Sequence, residues 1–141
     1  MVTTSTVIMF GLMYFNTYQL DHVYFSETRV YMAVIMGATM AGIMLGFMLN
    51  MYSNQRTNAG IFIGSALVFF LALWLVRSQA TIGDVAWMKA MIPHHSIAIL
   101  TSERANISDP RVRQLADGII EAQVREIAEM KALITDLESR Q

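Results

Sequence analysis

The residues best suited to chemistry lie between Trp87 and Ile99, in the run Trp-Met-Lys-Ala-Met-Ile-Pro-His-His-Ser-Ile-Ala-Ile. The run holds two of the three histidines, and the chain has twelve methionines and no cysteine. Thioether and imidazole ligands together favour a soft or borderline transition metal, above all Cu(I). Spacings of four, three and four residues place four side chains on one helix face: Asp84, Met88, Met91 and His95. The pattern predicts a metal site, with packing of the methionines in a core as the alternative.

The other histidines and the missing motifs argue against an enzyme. His94 lies beside the predicted face, whereas His22 stands alone and is interpreted as an interfacial polar residue. No histidine follows a glutamate at the Glu-x-x-His spacing of di-iron bundles, and His-Glu-x-x-His is absent. Without cysteine there is no thiolate ligand or thiol nucleophile. We expect neither catalysis nor an organic cofactor.

Charge is distributed very unevenly along the 141 residues, of which 55% are hydrophobic. Four charged residues precede Arg77, and the other seventeen fall from Arg77 onward. This predicts a membrane domain at 1–77 and a polar domain at 78–141. The net charge of −1 gives no basic surplus, so no nucleic-acid partner is expected.

Three transmembrane helices are predicted in the first domain, at about 3–20, 30–52 and 59–76. The first is the weakest, because it contains polar residues: Asn16, Thr17 and Gln19. It lacks the basic start and cleavage site of a signal peptide, so we expect it to be retained. The second has 23 residues and no charge, enough to cross about 30 Å of hydrocarbon. Four aromatic residues are expected at the membrane interface: Tyr14, Tyr18, Tyr24 and Phe25.

Methionine recurs at every fourth position of the second span, in a row that winds slowly around the helix: Met32, Met36, Met40, Met44 and Met48. Met9 and Met13 repeat the spacing in the first span. Thioethers are uncharged and can stand in hydrocarbon without the penalty of charged ligands. The row predicts a transmembrane metal path, with ordinary packing as the alternative. Two Gly-x-x-x-Gly pairs, Gly42/Gly46 and Gly60/Gly64, predict close helix approach.

Two helices are predicted in the polar domain, at about 82–103 and 110–138. A capping box at Thr81–Asp84 starts the first, and Pro93 should kink it. Asp109 followed by proline starts the second. A short turn makes the helices antiparallel, which pairs the two histidines with residues 121–123 and Met88 with residues 126–130. The polar Gln123 interrupts the apolar stripe of the second helix near the histidines.

These residues resemble a bacterial family catalogued as domain of unknown function 305. The resemblance rests on two groups of residues, one in each helix: Trp87-Met-Lys-Ala-Met-Ile-Pro-His-His95 with Ala98-Ile99, and Leu115-Ala116, Ile119-Ile120, Gln123, Glu126-Ile127 and Met130. It covers about residues 84–137, although Thr101 stands where many members have a further methionine. The family is similar to ferritin-like helical proteins and includes CopM-like periplasmic members that bind copper and silver.

The resemblance implies a set of metal ligands: Met88, Met91, His94, His95 and Met130. Asp84, Gln123 and Glu126 are expected to orient them. The leading hypothesis is therefore a membrane-anchored Cu(I)- or Ag(I)-binding protein for metal handling or tolerance. The alternative is a structural or accessory membrane subunit whose Met/His cluster is only core.

The expected fold is all-α, with three transmembrane helices followed by an antiparallel helical hairpin. A hairpin of about 55 residues covers its apolar faces poorly. We therefore expect two copies to form a ferritin-like four-helix bundle across a homodimer. The expected location is the bacterial inner membrane. The family resemblance favours a periplasmic polar domain, whereas Arg77 weakly favours a cytoplasmic one.

Overall fold

The computed structural model describes residues 1–15 and 17–140, in which the chain is all-α with five α-helices and no strand. The helices are α1 (Val2–Leu12), α2 (Glu27–Met48), α3 (Gln55–Ser78), α4 (Asp84–Arg104) and α5 (Pro110–Ser139). Short 3-10 turns at Leu20–His22 and Leu49–Met51 precede and follow α2. The all-α prediction is confirmed.

The chain forms two compact units. The apolar unit contains residues 1–13 and 27–81, and the polar unit contains residues 14–26 and 82–140. The predicted division near residue 78 left the segment 14–26 with the membrane helices, whereas the structure groups it with α4 and α5. We call this segment the strap; its Asn16 lies outside the described residues.

The first apolar helix is too short to cross a membrane, so the prediction of three spans is wrong. α1 has 11 residues, which rise about 16 Å against about 30 Å of hydrocarbon. The helix ends before Thr17 and Gln19, whose polar side chains are costly to bury in an apolar medium. Two helical stretches, 27–51 and 55–78, have the length and composition to cross.

The turn between these two stretches is closed by side chains of asparagine. Asn54 is the N-cap of α3, and its Oδ1 accepts the Thr57 N–H at 3.2 Å. Asn58 is buried and donates from Nδ2 to the Tyr52 carbonyl at 2.9 Å. Only 6% of the most apolar window of α3 is buried. Such a contiguous exposed apolar surface needs apolar surroundings.

All three connections to the polar unit leave from one end of the apolar unit. Arg29, in the first turn of α2, donates from Nη1 to the Met13 carbonyl at 2.6 Å, just after α1 ends. Tyr31 Oη lies 2.9 Å from Thr81 Oγ1, just after α3 ends. The Thr81 hydroxyl is therefore part of this contact and does not form the predicted capping box; Gly83 is the N-cap of α4 instead.

The core of the polar unit is an interface between α4 and α5. It is built from Met88, Ile92 and Ile99 of α4 with Ile127, Met130 and Ile134 of α5. α5 starts as predicted, with the Asp109 carboxylate accepting the Arg111 N–H at 2.8 Å and Pro110 in the first turn. Lys89 pairs with Glu138 and His95 with Glu126, so the two helices run antiparallel.

Pro93 lies inside α4 without ending it. Its ring is fully buried, as is the neighbouring Ile92, whereas His94 on the other side is exposed. Proline has no N–H and cannot donate to the carbonyl of Lys89. The helix nevertheless continues from Asp84 to Arg104, because burial of the apolar ring offsets part of the lost hydrogen bond.

The strap packs on the α4–α5 pair through side chains of both helices. Tyr24 joins the core cluster, and Ser26 is buried, its N–H bonded to the Tyr14 hydroxyl at 3.2 Å. Asp21 forms an ion pair of 2.6 Å with Lys131 of α5. Tyr14 and Tyr24 were both expected at a membrane interface. In the structure the Tyr14 hydroxyl accepts a hydrogen bond within the strap, and Tyr24 packs against the core.

Close helix approach in the apolar unit occurs at Gly37. A Cβ built at Gly37 would lie 2.5 Å from Thr6 Oγ1 of α1. At Gly42, Gly60 and Gly64 nothing lies within 4 Å, and at Gly46 the nearest atom is Phe62 Cζ at 4.0 Å. The glycine pairs predicted to bring helices together do not do so within the chain.

We expect Gly37→Ala to destabilise the packing of α1 on α2. Alanine gains about 1 kcal/mol of helix propensity, but overlap with the Thr6 hydroxyl should cost about 1–3 kcal/mol. Thermal unfolding in mild detergent measures the difference.

Gly42→Ala is the matched control and should be neutral or stabilising, because its Cβ meets open space. Adding Thr6→Ala to Gly37→Ala should restore part of the loss. Equal melting temperatures for the two glycine variants would contradict the close approach.

Candidate functional site

Three of the five predicted ligands line one pocket between α4 and α5. Met88, His95 and Met130 share it with Glu126. The pocket has a volume of about 240 Å³, and its remaining lining residues are Trp87, Glu129 and Leu133. Met88 and Met130 are themselves buried members of the core, whereas His95 and Glu126 are half-buried. Two thioethers and one imidazole thus face the same space.

Both ring nitrogens of His95 face oxygen acceptors. Nδ1 lies 3.0 Å from the Met91 carbonyl, one turn earlier in α4, and Nε2 lies 2.8 Å from Glu126 Oε2. The two contacts fix the plane of the ring, and Nε2 faces Glu126, which lines the same pocket.

Glu126 lies about one helical turn beyond the residues expected to meet the histidines, 121–123. In an α-helix every side chain leans toward the helix N-terminus. For antiparallel helices this moves the partner of an α4 residue further along α5 than symmetry about the turn indicates. A pairing based on Cα positions alone therefore gives a partner that is too early in the chain.

The other predicted site residues do not line this pocket. Met91 is half-buried and packs against the core cluster. His94 is exposed, with its ring centroid 6.4 Å from that of His95. Asp84 is exposed in the first turn of α4, and Gln123 is half-buried on α5.

Most of the donor side chains that line the pocket are soft or borderline. Within residues 1–15 and 17–140, no three histidine, aspartate or glutamate side chains are grouped so as to hold a metal ion. The donors in the pocket are two thioethers, one imidazole and the carboxylate bonded to that imidazole. Such a set suits Cu(I) or Ag(I) better than Zn²⁺, Mg²⁺ or Ca²⁺.

The methionine row of α2 is divided by the fold. Met36, Met40 and Met44 line a groove of about 380 Å³ together with Met9 of α1. Met32, 47% exposed, and Met48, half-buried, do not line it. The groove thus gathers four thioethers from two helices, and its other lining residues are Ile35, Thr39 and Ile43.

Sequence reasoning missed a polar contact between the strap and α4. Ser96 is fully buried; its Oγ accepts the Tyr18 N–H at 2.7 Å and lies 3.0 Å from His22 Nδ1. A signal was present, because Ser96 falls between Ile92 and Ile99 on the core face of α4. A hydroxyl in that position needs a polar partner. His22, interpreted as an isolated interfacial residue, is buried and provides one.

The electrostatics of this contact favour neutral His22. Burial lowers the pKa of His22, the nearby Lys131 ammonium lowers it further, and Asp21 opposes both. The hydrogen bond from Lys131 lowers the pKa of Asp21, so the carboxylate stays ionised. A hydrogen bond to the Glu103 carboxylate raises the pKa of Tyr18. The strap is thus held by the neutral contact of His22 with Ser96, and by contacts with charged side chains of α4 and α5 on either side of it.

Comparison with known proteins supports the predicted domain family for the polar half of the chain. The family model described as a domain of unknown function (DUF305) matches residues 75–141. An uncharacterized protein of Acanthamoeba polyphaga mimivirus is 38% identical over 71 residues, which cover 49% of this chain. The match spans about half of that protein as well, 47% of its length. No solved structure matches the chain.

The strap should loosen as pH falls. The pKa of His22 in the folded chain lies below its ordinary value of about 6.5, so the unfolded chain takes up the proton first. The contact contributes its full stability above pH 6.5 and loses it as pH falls through the lower folded pKa. Hydrogen exchange of strap peptides, corrected for intrinsic rates, should show less protection at pH 5.5 than at pH 7.5.

His22→Gln is the control, because an amide can bond Ser96 without titrating. Its strap protection should not change over the same range of pH. If the variant instead shows the same loss of protection at low pH as the native chain, His22 is excluded as the titrating group.

Proposed function

We propose that this chain is a membrane-anchored protein that binds Cu(I), and by the same chemistry Ag(I), for metal handling or tolerance rather than for catalysis. The observation that carries the proposal is the convergence of Met88, His95 and Met130, from two helices, on one pocket. The family that this chain resembles includes copper-binding members, which is consistent with the proposal. No organic cofactor is needed for this role.

Metal binding at the pocket would use one ring nitrogen of His95. Nδ1 faces the Met91 carbonyl, so Nε2 is the nitrogen available to the ion. Uptake displaces the Glu126 carboxylate from Nε2, and because only a neutral imidazole can ligate, binding should weaken at low pH. Glu126 was expected to orient the imidazole for the metal. The geometry gives it a competing role, because it holds the nitrogen that would bind.

We expect His95→Ala to abolish most Cu(I) binding and His94→Ala to leave it nearly unchanged. Loss of a ligand should exceed the effect of about 10- to 100-fold that is typical of losing an orienting partner. Competition with a chromophoric Cu(I) chelator, on full chains in mild detergent, measures both affinities. His94 is the matched control, since it is the adjacent imidazole and lies outside the pocket.

Glu126→Gln separates the two roles of the carboxylate. If Glu126 competes with the ion, the amide should bind Cu(I) as tightly as the native chain or more tightly, most clearly near pH 6. A fall of 10- to 100-fold would show instead that Glu126 orients the ring. Equal affinities for native chain and His95→Ala would exclude the pocket.

Membrane anchoring is supported by the two long apolar helices. α2 with its 3-10 extension and α3 can each cross a bilayer, and two crossings return the chain to the side on which it entered. This agrees with the packing of residues 14–26 and 82–140 into one unit. A bacterial inner membrane is the expected location; the family resemblance favours a periplasmic polar unit, and Arg77 a cytoplasmic one.

The thioether groove extends the proposal into the membrane. Several weak, evenly spaced sites are what an ion path requires, because the ion must be able to leave each one. Met36, Met40 and Met44, joined by Met9, provide such donors in an uncharged surface. One groove is not a closed pore, so a path would need several copies around an axis.

We expect the triple variant Met36→Leu, Met40→Leu and Met44→Leu to reduce Cu(I) entry into vesicles that carry a Cu(I) probe. Leucine keeps the volume and apolarity and removes the sulfur. The matched control is Met32→Leu with Met48→Leu, which lie outside the groove. Equal Cu(I) uptake with the native chain and with the triple variant would show that the methionine row only packs and does not conduct the ion.

One observation favours the alternative of an oligomerising accessory subunit. Val112, Leu115 and Ile119 form an exposed apolar stripe along the first turns of α5. Such a stripe suits a second α4–α5 pair, as in a ferritin-like four-helix bundle across a homodimer. The chelator titration distinguishes the two functions. An accessory subunit without a metal site should remove no Cu(I) from the chelator.

A further inference from the structure

The strap has two differently composed sides. Its inner side contacts α4 and α5 through Tyr18, His22 and Tyr24. Its outer side presents four large apolar side chains at high exposure: Phe15 at 82%, Leu20 at 91%, Val23 at 43% and Phe25 at 66%. Four such residues within eleven positions are a high local density of exposed apolar side chains, which we call the outer apolar surface of the strap.

The chain connects this surface directly to the end of α1 and to the start of the membrane-crossing helix α2. Phe25 is two residues before α2 begins, and Phe15 is three residues after α1 ends. At about 3.3–3.6 Å per residue, both lie within about 11 Å of a helix end. The contacts of Arg29 with Met13 and of Tyr31 with Thr81 bring all these helix ends together. The two residues to which the strap is covalently joined, Met13 and Glu27, therefore lie at one end of the apolar unit.

We propose that the outer side of the strap is an interfacial anchor, whose apolar side chains enter the headgroup region of the bilayer while its inner side holds the α4–α5 pair. Interfacial segments bury apolar side chains about 5–10 Å into the headgroup and acyl boundary, which matches the reach from the helix ends. The charged Glu27, two residues after Phe25, fits the polar part of that region. The partner is the lipid of the same membrane, and the inference rests on the proposed crossing by α2 and α3.

Depth-dependent quenching of tryptophan by brominated lipids tests this anchor on the full chain, at one chain per nanodisc. Leu20→Trp and Phe15→Trp are each made with Trp74→Phe and Trp87→Phe, so that one indole reports. Both positions are highly exposed, so the changes should not disturb folding. We expect strong quenching by the lipid and little quenching by aqueous iodide.

Ala132→Trp in the same background is the matched control. It is exposed on the side of α5 opposite Met130, and we expect quenching by iodide and not by lipid. Equal lipid quenching at residues 20 and 132, or none at residues 15 and 20, overturns the anchor. Protection of Leu20→Trp from both lipid and iodide that appears only with several chains per disc would assign the surface to a second copy instead.

Trp74 in α3 separates failure of this inference from failure of the membrane proposal. With only Trp87 replaced by Phe, Trp74 should be quenched by the brominated lipid, since it is 59% exposed on a crossing helix. If Trp74 is quenched and the strap tryptophans are not, the anchor is wrong and the crossing stands. If Trp74 is not quenched, the proposed membrane location fails first.

Discussion

Two helices packed only on each other cannot cover their own apolar faces, and this constraint governs the polar unit. α4 and α5 bury six core side chains between them, which leaves the flank around Ile99 and Ile127 in need of cover. The strap meets part of that need: Tyr24 joins the core, and Tyr18 and His22 border a small cavity of about 120 Å³ with Ile99, Val124 and Ile127. A segment that sequence patterning divides between the end of the first predicted span and the connection after it is therefore part of the core of the polar unit.

The sequence predicts what depends on local pattern. The N-terminal cap of α5, the apolar stripe of that helix and the two long apolar helices follow from residue type and periodicity alone, and the structure has them. It does not predict what depends on partners distant in the chain. Thr81 bonds Tyr31 rather than capping α4, and the close approach is at Gly37 because Thr6 of another helix happens to face it. No neighbouring helix approaches the two predicted glycine pairs closely.

The candidate site shows the same division. Spacing alone placed Met88, Met91 and His95 on one face of a helix, and the fold selects from that face only Met88 and His95 for the pocket, adding Met130 from α5. Met91 contributes its backbone carbonyl to His95, and Glu126 takes the remaining ring nitrogen. Under the proposed function, an ion that enters the site has to displace Glu126 from Nε2, so selectivity would depend on how strongly that ion prefers sulfur.

The arrangement of the connections at one end of the apolar unit has a consequence for how the chain can enter a bilayer. If α2 and α3 insert together as a pair from the side that holds the polar unit, the polar backbone that must pass through hydrocarbon is limited to the short turn closed by Asn54 and Asn58. In that turn the asparagine side chains already satisfy part of the exposed backbone, and Arg56 is the one charge nearby before α3 becomes apolar. With a cytoplasmic polar unit, the strap, α4 and α5 stay on the side where they are synthesised. With a periplasmic polar unit, all three have to cross the bilayer, so the two orientations differ greatly in the amount of polar backbone that insertion moves.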